Sequence, residues 1–218
     1  MEKKKNKSTI IVNFKKLVGA AALELVDELS KSDDLLLSKY DIILALQAPD
    51  AVNVPPDCKF RIFIQDTFSD EKDGFLSFFQ HHAIRHPSVA GVILNHPEKK
   101  LSAGELHACV EKARALDMEM LICATTISEA VELNRYAPHY IGIESEALIG
   151  KDDSFTNHCP DIVEEARQHI QTDILIGAGI KTPEDLHHVI NTGGSGVLVS
   201  SLILKSKQPL NTLTDFLN

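Results

Sequence analysis

The sequence predicts an α/β protein, a closed barrel of eight parallel β-strands alternating with helices. Three observations lead there. Short apolar runs rich in β-branched residues alternate along the chain with segments of helical period, an order that calls for parallel strands joined by helical crossovers. Each run is continuously apolar, as expected where both faces of a strand are covered. The 218 residues divide among eight units at about 27 residues each, inside the range of such a barrel and near its lower limit. An open doubly wound sheet is the alternative. Its dinucleotide-binding form is disfavoured because the first β-to-α turn, Asn13 to Gly19, is no G-x-G-x-x-G loop.

Residues 9–14 predict the first strand, and Ala21, Leu23, Leu25, Val26 and Leu29 fall near a helical period across 20–32. Strands follow at 41–47 and 61–66. Pro49, Pro55 and Pro56 leave room for only one helical turn between them, so the second β/α unit is truncated. A helix at 75–85 leads to a strand at 91–96. Strand and helix then alternate: helix 102–117, strand 118–125, helix 126–137, strand 140–144, helix 159–170, strand 173–178 and helix 182–192. Gly196 to Ser201 is the last strand, before a short C-terminal segment. Ser102 with Glu105 and Thr126 with Glu129 read as capping boxes, and Thr182-Pro183 places proline at the first helical position. Residues 1–8 form a basic arm expected to fray, and 9–218 form a single domain.

Composition narrows function. With 31 acidic against 22 basic residues the formal charge is -9, which gives nucleic-acid phosphates little attraction, so no nucleic-acid partner is expected. No apolar run reaches the roughly 20 residues that span a bilayer, and the N-terminus lacks the apolar core of a signal peptide, so a cytoplasmic protein without a membrane partner is expected. Cys58, Cys109, Cys123 and Cys159 fit neither a C-x-x-C pair nor a disulfide framework and read as reduced thiols, with Cys123 assigned to core packing. His81, His82, His86, His187 and His188 are poorly spaced for a metal, since adjacent helical positions diverge by about 100° and Pro87 disfavours helix at His86. No metal site is expected.

In such a barrel the reactive mouth lies at the carboxyl ends of the strands. Asn13 and Lys15 are two residues apart at the end of the first strand, so an extended chain aims them to one side. His96 follows Gly-Val-Ile-Leu-Asn, and Glu144 follows Tyr-Ile-Gly-Ile. A carboxylate can remove a proton beside a carbonyl, an imidazole N–H can polarise that carbonyl, and an ammonium can stabilise the resulting enediolate. Glu98 reads as solvating a helix start, with a pair to Lys15 as the lesser option.

Val12-Asn13-Phe14-Lys15, Leu94-Asn95-His96-Pro97-Glu98, Ile143-Glu144 leading to Leu148-Ile149-Gly150, Gly177-Ala178-Gly179-Ile180 and the strand Gly196–Ser201 occur in an order that resembles the triosephosphate isomerase family, in its shorter-chain branch. The resemblance implies a TIM barrel that interconverts dihydroxyacetone phosphate and D-glyceraldehyde 3-phosphate without metal or organic cofactor. It gives Glu144 the role of base, His96 that of electrophile, Lys15 that of fixed positive charge and Asn13 that of positioning group. The phosphate of the three-carbon substrate falls to backbone N–H groups around Ile149, Gly150, Gly179, Ser200 and Ser201. Loop 145–158 would be a closing lid. Here it reads Glu144-Ser145-Glu146-Ala147-Leu148-Ile149-Gly150-Lys151-Asp152, whereas the family usually has proline after the base and Ile-Gly-Thr-Gly further on. Pro97 replaces the usual serine after the histidine. That is compatible with His96 accepting a bond from the Glu98 N–H and donating from its other nitrogen. A homo-oligomer stays open, because Asp73-Gly74-Phe75 stands where the family carries a Thr-Gly tip. An isomerase of another small sugar phosphate and a non-catalytic sugar-phosphate binding barrel are the two alternatives.

Overall fold

The computed structural model describes residues 7–65, 82–145, 148 and 154–218. Its strands are β1 Ser8–Asn13, β2 Tyr40–Leu46, β3 Arg61–Ile64, β4 Val89–Leu94, β5 Glu119–Ala124, β6 Tyr140–Glu144, β7 Asp173–Gly177 and β8 Gly196–Val199. They pair in sequence order, every neighbouring pair is parallel, and β8 pairs with β1 to close the barrel. The open-sheet alternative is thereby excluded.

The helices are α1 Ala20–Leu29, α2 Asp34–Lys39, α3 Ala48–Ala51, α4 Ala103–Ala115, α5 Ile127–Leu133, α6 Phe155–His158, α7 Ile162–Arg167, α8 Pro183–Asn191, α9 Ser201–Leu204 and α10 Pro209–Leu217. The second unit is truncated as expected: α3 has four residues, with Pro49 in its first turn. Most of the helix expected at 75–85 lies outside the described residues. No helix among those described is long and apolar enough to cross a membrane.

The two-residue period of each strand sorts side chains into two layers. Ile11, Ile43, Phe63, Ile93, Leu121, Cys123, Tyr140, Leu175 and Leu198 fill the barrel interior. Ile10, Val12, Leu44, Ile62, Val92, Ile122 and Ile174 face outward and pack with Leu25, Val26, Leu106 and Leu186 of the helices. Burying each large aliphatic side chain contributes about 1.5–3 kcal/mol, so both layers matter. At the amino end of the strands Arg61 bridges Asp41 and Glu119 and stacks over Phe63, which caps the interior opposite the mouth.

The Ser102 box and the proline opening the helix after Thr182 behave as read from sequence, and Thr182 adds a box that was not read. Ser102 and Glu105 form a complete capping box on α4, and Thr182 forms one with Asp185 on α8. The third differs. Thr126 accepts from the Glu129 N–H, but the Glu129 carboxylate turns away to accept from the N–H and hydroxyl of Thr125 and from Asn95 and Lys100. A cation and a buried amide compete better for that carboxylate than the exposed N-cap backbone does.

Candidate active site

Asn13, Lys15, His96 and Glu144 meet at the carboxyl end of the barrel. Asn13 shares the inward side of β1 with Ile11, and Glu144 shares that of β6 with Tyr140 and Gly142; both residues are buried. β4 ends at Leu94, and Asn95 takes a left-handed conformation, φ 57°, before His96. That turn is pinned by the Asn95 side chain, which donates to Cys123 O and accepts from Leu101 N. Asparagine tolerates this backbone better than most residues.

His96 Nε2 lies 3.1 Å from Glu144 Oε1. The two are close but not aligned as a hydrogen bond, and Glu144 Oε1 is buried without a hydrogen-bond partner among the described residues. The Glu98 N–H donates to His96 Nδ1 at 3.2 Å, which places the ring proton of that tautomer on Nε2. Asn13 Oδ1 accepts from the Lys15 N–H at 2.9 Å, so its amide nitrogen faces His96 Nε2 across 3.4 Å. Two donors then converge beside a carboxylate oxygen, Glu144 Oε1, that has no hydrogen-bond partner among the described residues. An oxygen-bearing ligand with an acidic C–H fits this arrangement: its oxygen takes both donors, and its proton faces the carboxylate.

Lys15 sits at φ 49°, a costly conformation for a residue with a side chain. It is held on one side by Asn13 and on the other by the Gln47 side chain, which donates to Lys15 O at 2.9 Å. Further along the same loop the Gly19 N–H donates to the buried Asp50 at 2.8 Å. The truncated second unit therefore has a use, since its single turn braces the lysine loop from the side. The Lys15 ammonium pairs with Glu98 at 2.9 Å. Glu98 thus does more than solvate a helix start. Burial works against its charge, but the Lys15 bond holds its carboxyl below the usual range.

Gly177 faces Glu144 across the β6–β7 ladder. A Cβ there would come within 2.5 Å of Glu144 Cγ and 2.8 Å of Cδ, so only glycine leaves the carboxylate its place. Cys123, in the barrel interior, also lies beside Glu144. It is fully buried; burial and the negative charge of Glu144, to which its thiol hydrogen-bonds, push the thiol well above its ordinary range. It stays protonated at neutral pH and packs against the Glu144 carboxylate.

A cavity of about 460 Å³ opens beside this group. It is lined by Asn13, Lys15 and Glu144, by Ala178 to Lys181 after β7, and by Ser200, Ser201 and Lys205 after β8. Gly179, Ser200 and Ser201 are at the cavity wall. His96 reaches the group through Glu144 and Asn13 and does not line the cavity. Ile149 and Gly150 lie outside the described residues. Among the described residues no cluster of three or more His, Cys, Asp or Glu is placed to hold a metal. Instead the Nε2 atoms of His86 and His188 lie 2.8 Å from the backbone carbonyls of Val54 and Pro160.

Gln47 and Asp50 were not picked out from sequence, and Gly177 entered there only as part of the Gly177–Ile180 element, with no role of its own. A glutamine at a strand end two residues before Pro49 was the available sign for the first; the other two act through contacts that no local pattern encodes.

A family model described as triosephosphate isomerase matches residues 8–217. Triosephosphate isomerase of Thermoplasma volcanium is 30% identical over 217 residues, covering 96% of this chain and 99% of that protein. The enzyme of the same name from Cenarchaeum symbiosum is 28% identical over 211 residues, covering 94% and 95%. Among solved structures, a mutant tryptophan synthase alpha-subunit from Pyrococcus furiosus superposes with TM-score 0.69 at 14% identity, covering 96% of this chain and 97% of that one. Thiamine phosphate pyrophosphorylase from Pyrococcus furiosus does so with TM-score 0.63 at 12% identity, covering 96% and 93%. Those two likenesses speak to the fold alone.

Proposed function

Because the chain belongs to the triosephosphate isomerase family, we propose that it interconverts dihydroxyacetone phosphate and D-glyceraldehyde 3-phosphate by moving one proton between adjacent carbons. The carrying observation is the buried Glu144 oxygen without a partner, 3.1 Å from the one His96 nitrogen left free to donate.

In this reading Glu144 takes the proton from the carbon beside the carbonyl. His96 Nε2–H donates to the carbonyl oxygen, with the Asn13 amide alongside, so charge that develops there meets donors already in place. The proton on the Glu144 carboxyl then passes to the neighbouring carbon while the hydroxyl proton crosses from one enediolate oxygen to the other by way of His96 Nε2, and the enediolate collapses to the other isomer. The division between a carboxylate base and a histidine electrophile is the family's known pattern, carried over to these positions. Lys15 balances the negative charge of enediolate and phosphate, with Glu98 holding the ammonium in range of the cavity. Backbone N–H groups near Gly179, Ser200 and Ser201 take the phosphate, and the reading gives Ile149 and Gly150 a share in it. Closure over the ligand by loop 145–158 would keep water from the enediolate.

The test is a coupled isomerisation assay on the wild type and Glu144→Gln. Removing the base while keeping its shape costs a factor of at least about 10²–10⁴ in kcat. Equal traces from the two proteins would contradict the reading and favour a barrel that binds without turning over.

A further inference from the structure

We propose that Asp185, which touches no ligand, is a positioning residue of the anion subsite: its carboxylate ties the segment Ser154–Thr156 to the loop carrying Gly179 and so holds that loop in its binding shape. This rests on the reading that Gly179 helps to bind the substrate phosphate.

Asp185 has 0% exposure, and a carboxylate is costly to bury unless donors saturate it. One oxygen does what a helix start requires. Oδ2 accepts from the backbone N–H groups of Lys181 and Thr182 at 3.0 and 3.1 Å and faces the Thr182 hydroxyl at 3.4 Å. The comparable box at the start of α4 does that job at the surface, with Glu105 exposed. Burial and the second oxygen exceed what capping needs. Oδ1 accepts from the hydroxyls of Ser154 and Thr156 at 2.6 and 2.9 Å and from the Thr156 N–H at 3.3 Å.

Between those two hydroxyl residues lies Phe155, itself buried, whose N–H donates to Gly179 O at 2.9 Å. Gly179 has φ 74°, and a Cβ on it would sit 2.9 Å from that same nitrogen. The loop is therefore seated against Phe155, and Asp185 grips the chain on both sides of the seat: at Ser154 and Thr156 on one segment, and at Lys181 and Thr182 on the other. Ala178 to Lys181 form the cavity wall. Loosening the grip moves backbone N–H groups relative to an anion while Glu144 and His96, on β6 and after β4, keep their places.

The experiment compares wild type, Asp185→Asn, the milder Ser154→Ala/Thr156→Val pair, which spares the capping oxygen, and Glu105→Gln as a capping control remote from the cavity. Each is measured for KM, kcat, melting temperature and binding of phosphoglycolate. The proposal expects KM for triose phosphate and the Kd of phosphoglycolate to rise together by about tenfold or more in the Asp185 variant or the pair, with kcat changed much less. Glu105→Gln should shift melting alone. Variants that melt lower yet bind phosphoglycolate within twofold of wild type would overturn the proposal and leave the site reading intact. A wild type that binds no phosphoglycolate would overturn both.

Discussion

Gly177→Ala is a severe test of the proposed site because it crowds Glu144 without altering any polar group. The new methyl would lie 2.5 Å from Glu144 Cγ and 3.0 Å from Oε2. Ordinary carbon–carbon contact is about 3.5–4.0 Å, so the Glu144 side chain must retreat by about 1 Å. It has somewhere to go, since the carboxylate lines the open cavity. Gly177 is not among the residues with positive φ, so alanine brings no backbone strain of that kind, and the barrel should persist. Displacement of a reacting group by about 1 Å costs a factor of about 10². The assay is kcat for triose-phosphate isomerisation beside circular dichroism and thermal melting. Activity within twofold of wild type in a folded variant would refute the inference that Glu144 works from the position it occupies here.

Removing the Lys15 charge with Lys15→Met should lower kcat/KM by at least about 10²-fold while leaving melting little changed, because a single charge-stabilising group typically contributes that much; a loss below fivefold would argue against its role. Glu98→Gln breaks the partly exposed Lys15 pair and should cost under about 1 kcal/mol by denaturant unfolding. Ser102→Ala removes the α4 cap and should cost about 1 kcal/mol, or roughly 2–4 °C in Tm. Asp185 also predicts an acid limb. Burial opposes its charge, but hydrogen bonds from Ser154, Lys181 N–H, Thr156 and Thr182 prevail and hold its carboxyl below the ordinary aspartate range. A folded-state pKa below the unfolded one means that the stabilisation is present above the unfolded value and is lost as pH falls toward the folded one. The gap in unfolding free energy between wild type and Asp185→Asn should therefore be widest near neutrality and shrink below about pH 4. A gap that widens on acidification would contradict this.

Much of the barrel was legible because buried parallel strands cannot disguise themselves. Ile10 to Val12, Ile141 to Ile143 and Ile174 to Ile176 are continuous apolar runs, and their order alone implied the topology. The strand-end residues were legible for the same reason, since the period that buries Ile11 and Tyr140 carries Asn13 and Glu144 to the interior. Helix α2 went unread because Asp33 to Lys39 offers three consecutive leucines and little periodicity, although Asp33 does cap it. Helix α10 was read only as a segment, yet Pro209 in its first turn and buried Leu213, Phe216 and Leu217 were the available signs.

Apart from the Lys15–Glu98 pair, which sequence offered only as the lesser option for Glu98, the supporting contacts were beyond sequence reasoning for a different reason. Lys15 meets Glu98 across 83 positions, Gln47 reaches back 32 to Lys15, and Asp185 reaches back 31 to Ser154. None of these distances follows a helical or strand period, so no local pattern announces them. Closure of the barrel creates them, and they hold the candidate site residues where the strand ends alone would only bring them near.

Proton transfer at carbon is the most direct thing to measure. Dihydroxyacetone phosphate incubated with the protein in D2O should yield triose phosphates with deuterium at the carbon beside the carbonyl, followed by proton NMR. The wild type should incorporate it at the pace of isomerisation, and Glu144→Gln should fall to the uncatalysed rate. Exchange that persists in Glu144→Gln, or a wild type that leaves those carbon-bound protons untouched, would contradict the assignment of Glu144 as the base.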